Sequence, residues 1–371
     1  MSKPQTIVRN VSDTQLAILM YITIMATATL FVPALTAQRA HQAAWIATGV
    51  LPAGTGIVTV FLVTKLAALY PGQTLVQYCQ AIFGKWLGKL FALSYVAFFL
   101  FGNILVIREF AEFMAIMMLP GTPILFLCAL IVLTGVYIAP KGPEVLCRMA
   151  QFLLPLFAGS FLLLIALTTP DLKLDRLIPV FEGGLQPIVQ GSIVPSSWFG
   201  EIVLVAMFLP NVNKPREMRG KGMATILAVG LVLTVDTLTV LALFGPNLTA
   251  TLMFPFWSLA KYIKLGMTVQ RLELFVVSFW VAAMILKVAV FYYAAYEGLA
   301  QSLGVANREW VLYPLAVGQI MAANYLFSNT LNLSHLLGGI WPKVALLFEV
   351  PLPLFFWLVA SYRKRPKRKQ A

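Results

Sequence analysis

Apolar runs of about twenty residues recur from one end of the chain to the other, separated by short polar segments. A helix of that length crosses the hydrocarbon core of a bilayer, so each run predicts a membrane-spanning helix. The pattern therefore predicts an all-α polytopic membrane protein with ten transmembrane helices. We place the spans at residues 13–36, 43–69, 87–117, 121–139, 145–168, 193–211, 221–244, 270–300, 308–328 and 340–362.

The segments between the spans divide the chain into two halves of five spans each. Residues 71–85 (PGQTLVQYCQAIFGK) are too polar to cross and predict a short interfacial helix, and residues 251–266 predict another surface helix. The resulting single membrane domain consists of a first half at 1–168, a Pro- and Gly-rich link at 169–192, a second half at 193–362 and a basic tail at 363–371.

Composition and charge narrow the class of protein further. Hydrophobic residues make up 60% of the 371 positions and charged residues only 11%, which excludes an ordinary soluble globular protein. The net charge of +13 resides largely in short loops and in the tail, which suits contact with anionic membrane lipid and does not indicate nucleic-acid binding. Most of the 27 lysines and arginines fall on one side of the membrane if both termini are cytoplasmic, so we predict that orientation.

The residues that commonly carry catalysis or bind metals are few and scattered. Cys79, Cys128 and Cys147 are odd in number and far apart, and His41 and His335 each stand alone. The sequence has no nucleophile elbow, P-loop or paired zinc motif. We therefore expect no enzymatic activity, no metal site and no cofactor.

The first and sixth spans each contain a short stretch that weakens a helix. Residues 26–29 read ATAT, and residues 195–200 read PSSWFG, in which Pro195 lacks a backbone donor and Gly200 destabilises a helix. Interrupted backbone inside a membrane is tolerated where protein buries it or where it lines a cavity. These stretches predict broken helices at matching positions in the two halves. Because each half holds an odd number of spans, the two halves would have inverted orientations in the membrane. The alternative is that Pro195 lies in the first turn of a continuous helix.

Six ordered motifs resemble one known family. The motifs are YPGQTL at 70–75, FGKWLGK at 83–89, REFAEF at 108–113, LPGTP at 119–123, KGPEVLCR at 141–148 and LIPVFEGG at 177–184. Together they resemble the spore germination permease family, the integral-membrane B subunit of nutrient germinant receptors. The chain departs from the family pattern at Ala26 and Ala28, where glycines are usual, and at Ala43, where an acid is usual.

The resemblance implies a fold, a location and partners. It implies membership of the amino acid–polyamine–organocation superfamily, with the inverted five-plus-five fold of the bacterial leucine transporter. It also implies a place in the spore inner membrane beside a larger A subunit and a lipoprotein C subunit. A small-molecule germinant, often an amino acid, would bind at mid-membrane and trigger germination. The alternative function is a self-sufficient proton-coupled amino acid transporter.

A zwitterionic ligand needs helix N-termini for its carboxylate and carbonyl oxygens or an acid for its ammonium. Broken first and sixth helices would supply these groups, and aromatic side chains would form the wall of the pocket. Alternatively, Trp198 packs against lipid or a neighbouring helix and the hydroxyls bond to their own preceding turn. The candidate ligand residues are Thr27, Ala28, Thr29, Ser196, Ser197, Trp198, Phe199 and Gly200.

Lys287 is the most informative single charge, because it lies halfway along the eighth span. A lysine at that depth is costly unless it is paired or hydrated. In the fold that the resemblance implies, this position adjoins a sodium site beside span one, so we predict that the ammonium replaces sodium there and bonds to unwound span-one carbonyls. The alternative is a structural ion pair with Glu201 or Asp236, and either acid is also a candidate for proton coupling.

Three charged residues near the outer end of span three form a second group. Arg108 and Glu112 are four residues apart and share one helix face. We predict that they form an ion pair that holds helix ends together, with Glu109 beside them, and the alternative role is an outer gate or a partner contact. Glu273 and Glu297, at the ends of span eight, are lesser candidates.

Overall fold

The computed structural model describes residues 10–263, 272–327 and 330–364, and these ranges are almost entirely helical. A lone bridge between Val11 and Val212 is the only extended pairing within them. The α-helices are α1 (Asp13–Ala40), α2 (Ala44–Leu69), α3 (Leu75–Phe83), α4 (Lys85–Phe113), α5 (Ile124–Ile138), α6 (Pro143–Thr168), α7 (Gln186–Gly200), α8 (Val205–Phe208), α9 (Met218–Phe244), α10 (Pro246–Thr251), α11 (Pro255–Tyr262), α12 (Leu272–Leu303), α13 (Glu309–Tyr325), α14 (Thr330–Gly338), α15 (Ile340–Glu349) and α16 (Pro351–Arg363).

The predicted spans coincide with helices of the described ranges, and positions 270, 271 and 328 of the predicted spans lie outside the described residues. Within the described part of the chain, eight helical segments are long and apolar enough to cross a membrane, and the first of them, Asp13–Leu69, holds both α1 and α2 in 57 residues. The ninth predicted span corresponds to α13, which ends in a bend of 102° before α14. The tenth corresponds to α15 and α16 together. The helices predicted at 71–85 and 251–266 correspond to α3 and α11, and 264–266 lie outside the described residues.

The segment of 57 residues is a hairpin of two antiparallel helices. His41, at the junction of α1 and α2, has a φ of 46°, which turns the chain out of the helical path. The Arg219 side chain, at the start of α9, donates to the Thr64 hydroxyl near the end of α2. Nearby on α9, Thr225 donates to the Ala17 carbonyl near the start of α1. The start of α1 and the end of α2 therefore lie at the same side of the molecule.

The long helices form two packed groups that meet at the centre of the molecule. We call α1, α2, α7 and α9 the bundle, because each packs against others of the set. We call α4, α5, α12 and α13 the scaffold for the same reason. Helices α1 and α12 contact each other across the boundary between the groups, and most of α1 is buried.

The interruption predicted in the first span is wrong, and the one predicted in the sixth span is wrong in position. Helix α1 continues through 26–29, and α7 continues through Pro195 to Gly200. Serine hydroxyls beside the proline donate to helix carbonyls, Ser196 to Ser192 and Ser197 to Val194, and such bonds help a membrane helix tolerate proline. Span six instead changes at Glu201–Leu204, where a 3₁₀ turn replaces the α-helix. Its helix also begins at Gln186, before the predicted 193.

The end of the last helix is tied to two other helices. Arg363 donates to the Ile82 carbonyl in the last turn of α3, and Lys364 donates to the Leu69 carbonyl at the end of α2. Cationic side chains at helix C-termini satisfy carbonyls that lack a partner within the helix. The rest of the predicted basic tail, 365–371, lies outside the described residues.

Candidate functional site

Lys287 is fully buried at the centre of α12 and uses all of its N–H donors. Its Nζ lies 2.8 Å from each carboxylate oxygen of Glu201 and 2.7 Å from Thr27 Oγ1. The prediction that unwound span-one carbonyls accept from Lys287 is wrong, because α1 is continuous through 26–29 and Lys287 donates to the Thr27 hydroxyl and to Glu201 instead. The alternative, an ion pair with Glu201, is what the structure has.

Thr27 is the point where three helices meet. Its hydroxyl oxygen accepts from Lys287 on α12 and also from Trp198 Nε1 on α7, at 2.8 Å. One residue away, the Ala26 carbonyl accepts from Trp280 Nε1 of α12 at 2.6 Å. The scaffold is therefore bonded to the bundle through Lys287 and Trp280. This bonding lies at the level where span six changes from an α-helix to a 3₁₀ turn.

Two further acids lie close to the Lys287–Glu201 pair. Glu109 on α4 and Glu349 at the end of α15 are buried and interact electrostatically with both members of the pair. Within the described part of the chain, Glu109 Oε2 and both carboxyl oxygens of Glu349 have no hydrogen-bond partner. Since a buried charge is costly unless it is paired, one ammonium for three carboxyl groups leaves this region poised to accept a positive charge.

The structure separates the predicted ligand residues into two sets. Thr27 and Trp198 contact each other beside Lys287, and Gly200 immediately precedes Glu201. The hydroxyls of Thr29, Ser196 and Ser197 donate within their own helices, the alternative role for these residues. Ala28 and Phe199 are fully buried and contribute packing.

The Arg108–Glu112 ion pair predicted from the helical spacing is confirmed. Arg108 Nη2 lies 2.6 Å from Glu112 Oε1, and Arg108 also donates to the carbonyls of Ala323 and Asn324 at the end of α13. Glu112 Oε2 accepts from the Thr330 hydroxyl at the start of α14, at 2.5 Å. The pair therefore joins the two helices on either side of the bend. Glu109 belongs instead to the region around Lys287.

The remaining acids play separate parts. Asp236 is fully buried on α9, and neither of its oxygens has a hydrogen-bond partner in the described ranges, so it does not pair with Lys287. Glu297 near the end of α12 pairs with Arg308 at 2.7 Å. Glu273 lies at the start of α12, in its first turn.

Sequence reasoning missed Glu349 and Trp280. Glu349 is a single acid inside the apolar tenth span, IWPKVALLFEVPLPLFFW, and the rule that singled out Lys287 applies to it equally. Trp280 carried no comparable signal, because a tryptophan in a membrane helix more commonly packs or marks the interface.

Comparison with known proteins gives the family. The family model described as spore germination protein matches residues 10–330. The chain belongs to the spore germination protein family. Spore germination protein KB of Bacillus subtilis (strain 168) is 26% identical over 364 residues, which cover 97% of this chain and 96% of that protein. Putative spore germination protein YfkT of the same strain is 28% identical over 272 residues, covering 73% of this chain and 75% of that protein.

Solved structures show that this member of the spore germination protein family has a transporter fold. MhsT, solved in complex with L-phenylalanine, aligns with a TM-score of 0.59 at 14% identity, over 94% of this chain and 98% of its own. Mhp1, a nucleobase-cation-symport-1 family transporter in a closed conformation with bromovinylhydantoin bound, gives a TM-score of 0.66 at 15% identity, over 96% of this chain and 80% of its own. The resemblance predicted from the six motifs is confirmed, and so is the predicted fold class.

Proposed function

We propose that this protein is the permease-like B subunit of a nutrient germinant receptor. We propose further that it binds a small germinant, an amino acid, at the level of Lys287. Its family and its transporter fold support a permease-like receptor subunit. The observation that carries the proposal is the bonding of Lys287 across the boundary between scaffold and bundle. A ligand that breaks or strengthens this contact would change the packing of the scaffold against the bundle.

The proposed ligand site is centred on Thr27, Trp198 and Gly200. These residues lie next to the buried charges, which supply the positive and negative groups that a zwitterion needs. A ligand shifts the protein between two states only by its difference in affinity for them. The ammonium of Lys287 takes the place of sodium in this proposal, so binding should not require added sodium.

We place the protein in the spore inner membrane, beside an A subunit and a lipoprotein C subunit. In this arrangement the B subunit senses the germinant and its partners carry the response. Germination of spores that lack every A and C subunit but retain this protein would contradict the arrangement. A normal response after deletion of this protein alone would contradict its role as the sensor for that germinant.

A panel of ligands tests the proposed site directly. The purified protein is heated in detergent with amino acids, nucleosides or sugars, with and without sodium. We expect an amino acid at 100 times its Kd to stabilise the folded protein by about 2.7 kcal/mol. Its melting temperature should rise accordingly. The same ligand should act more weakly on Thr27→Val and normally on Thr29→Val. A strict sodium requirement, or equal responses of the two variants, would contradict the site.

The second candidate function is a proton-coupled amino acid transporter, which the excess of buried carboxyl groups around Lys287 favours. Uptake of a labelled amino acid into proteoliposomes, driven by an imposed proton gradient and abolished in Glu201→Gln, would establish transport without partner subunits. Ligand binding without uptake would favour the receptor subunit.

A further inference from the structure

Glu349 lies at the junction of α15 and α16 and faces the end of α7. It is the last residue of α15, and Val350 with a φ of −124° separates it from α16, which begins at Pro351. Its side chain lies against Gly200, the last residue of α7, so closely that a Cβ added to Gly200 would overlap the carboxyl group. The carboxyl of Glu349 therefore lies where span six changes to a 3₁₀ turn and where α15 passes into α16.

The carboxyl of Glu349 is enclosed but receives no hydrogen bond in the described ranges. The residue is fully buried, and both oxygens are without a donor there. Lys287 is the nearby cation, but its donors are taken by Glu201 and Thr27. On α4, the Tyr95 hydroxyl donates to the Phe348 carbonyl at 2.8 Å and so is not available to the acid.

Among the described residues, the helices packed against α15 bring few titratable groups to this end of it, and Glu109 of α4 lies with Glu349 around the Lys287–Glu201 pair. Helices α4, α7, α14 and α16 contact α15. Within the described ranges, the titratable groups that interact electrostatically with Glu349 are Glu201, Lys287 and Tyr95. Lys343 of α15 lies about 9 Å farther along the helix, and His335 of α14 adjoins Gly339, at the far end of α15. Arg363 is at the opposite end of α16, bonded to Ile82.

We propose that Glu349 is a proton-binding site that controls the Lys287–Glu201 contact. In the conformation described here the carboxyl group of Glu349 is protonated and neutral, because an unpaired buried carboxylate is strongly disfavoured. When the proton leaves to water, a second carboxylate stands beside Glu201, and the two acids compete for one ammonium. The chain must then reposition Lys287, α15 or the 3₁₀ turn at Glu201–Leu204.

This proton site is independent of the proposed germinant, since it needs no ligand to be occupied. It can therefore be tested on the purified full-length protein alone, in lipid nanodiscs without any germinant. Failure of the proton site leaves the germinant site standing, and failure of every ligand in the panel leaves the proton site standing.

Infrared difference spectroscopy detects the proton directly. A protonated carboxyl group has a C=O stretching band that shifts in D₂O and disappears on ionisation. We expect Glu349→Gln to lose one such component from the wild-type spectrum while keeping the fold, because glutamine is the neutral isostere. The matched control is Asp236→Asn, which removes another buried acid from α9 and should leave the Glu349 component in place.

The pH dependence of stability provides the second readout. The folded wild type holds a proton that the unfolded chain releases above about pH 4.3, so raising the pH should destabilise the wild type. Between pH 5 and 9, the melting temperature of Glu349→Gln should fall less than that of the wild type. The melting temperature of Asp236→Asn should still show the part of the fall that comes from Glu349. An unchanged carboxyl band in Glu349→Gln, an unchanged pH slope, or failure of this isosteric variant to fold at neutral pH would each overturn the proposal.

Discussion

At the scale of single residues, Lys287 shows how a charge is accommodated inside a membrane. Its ammonium has three donors, and the two oxygens of Glu201 and the hydroxyl of Thr27 accept them. The geometry is compact, so a planar guanidinium would not reproduce it. The stability of the site depends on the match between donors and acceptors as well as on charge.

Removing the ammonium should therefore be more damaging than removing the whole pair. We expect Lys287→Met to cost about 3–5 kcal/mol of stability, because Glu201 is left buried without its partner. The double variant Lys287→Met/Glu201→Gln should recover much of that loss, and Lys287→Arg should also be defective. Thermal unfolding in detergent measures each variant, with the exposed Lys343→Met as control. Wild-type stability in Lys287→Met would refute the pairing.

Two threonines on α1 separate the shared acceptor from an ordinary helix hydroxyl. Thr27 accepts from Lys287 and Trp198, whereas Thr29 donates to the Met25 carbonyl of its own helix. Thr27→Val should cost about 1–3 kcal/mol, since two buried donors lose their acceptor. Thr29→Val should cost clearly less. Melting temperatures of the two variants decide between this arrangement and a general intolerance of valine in α1.

At the scale of helices, the interruptions lie where the buried charges are. The sequence pointed to Pro195 as the break in span six, but α7 passes through it and changes at Glu201. Local propensity favours a break at proline, yet a membrane helix tolerates proline where nearby hydroxyls and neighbouring helices satisfy the backbone. The position of the break was therefore decided by packing, which the order of residues alone does not reveal.

Gly200 provides the close approach between α7 and α15. Gly200→Ala should cost about 1–3 kcal/mol, because its methyl group would overlap Glu349. In spores the change, like a bulky residue at Ser197, should raise the germinant concentration needed for germination. The control is Gly220→Ala at an exposed position of α9, where an added Cβ meets no described atom within 4 Å. Equal melting temperatures and dose–response curves for the two variants would contradict the close approach.

The two Arg–Glu pairs at i,i+4 spacing allow a matched comparison. Arg108–Glu112 is buried and binds the ends of α13 and α14, whereas Arg148–Glu144 is exposed and lies on α6. We expect Arg108→Gln to cost about 3–5 kcal/mol, since it leaves a buried carboxylate and two carbonyls unpaired. Arg148→Gln should cost less than about 1 kcal/mol. Denaturation of both variants under identical conditions provides the measurement, and similar losses would show that the bend does not depend on Arg108.

At the scale of the whole molecule, the distribution of Lys and Arg predicts the orientation. Cysteine labelling in intact cells tests it with Arg216→Cys in the loop before α9 and Lys173→Cys in the link between the halves. Both positions are exposed, and the three native cysteines are buried. An impermeant reagent should label Lys173→Cys in intact cells and Arg216→Cys only after lysis. The reverse pattern would place both termini outside.

The spans, the fold class and the Arg108–Glu112 pair could be predicted from the sequence, because length, hydropathy and helical spacing depend on local order. The partners of Lys287 could not be fixed, since Glu201 and Asp236 were both available in the sequence. The structure places Glu201 beside Lys287 and leaves Asp236 apart on α9. Glu349 joins the site from the tenth span, a long-range placement that no spacing rule specifies.

The two buried ion pairs differ in when they can form during synthesis. Arg108 and Glu112 are one turn apart, so they can neutralise each other as soon as α4 leaves the translocon. Glu201 enters the membrane with span six, but Lys287 is still untranslated at that moment and arrives two spans later. A nascent chain must therefore hold Glu201 protonated, or keep span six beside the translocon, until α12 has been inserted. The order of the helices along the chain thus makes the central charge pair a late step in the biogenesis of this protein.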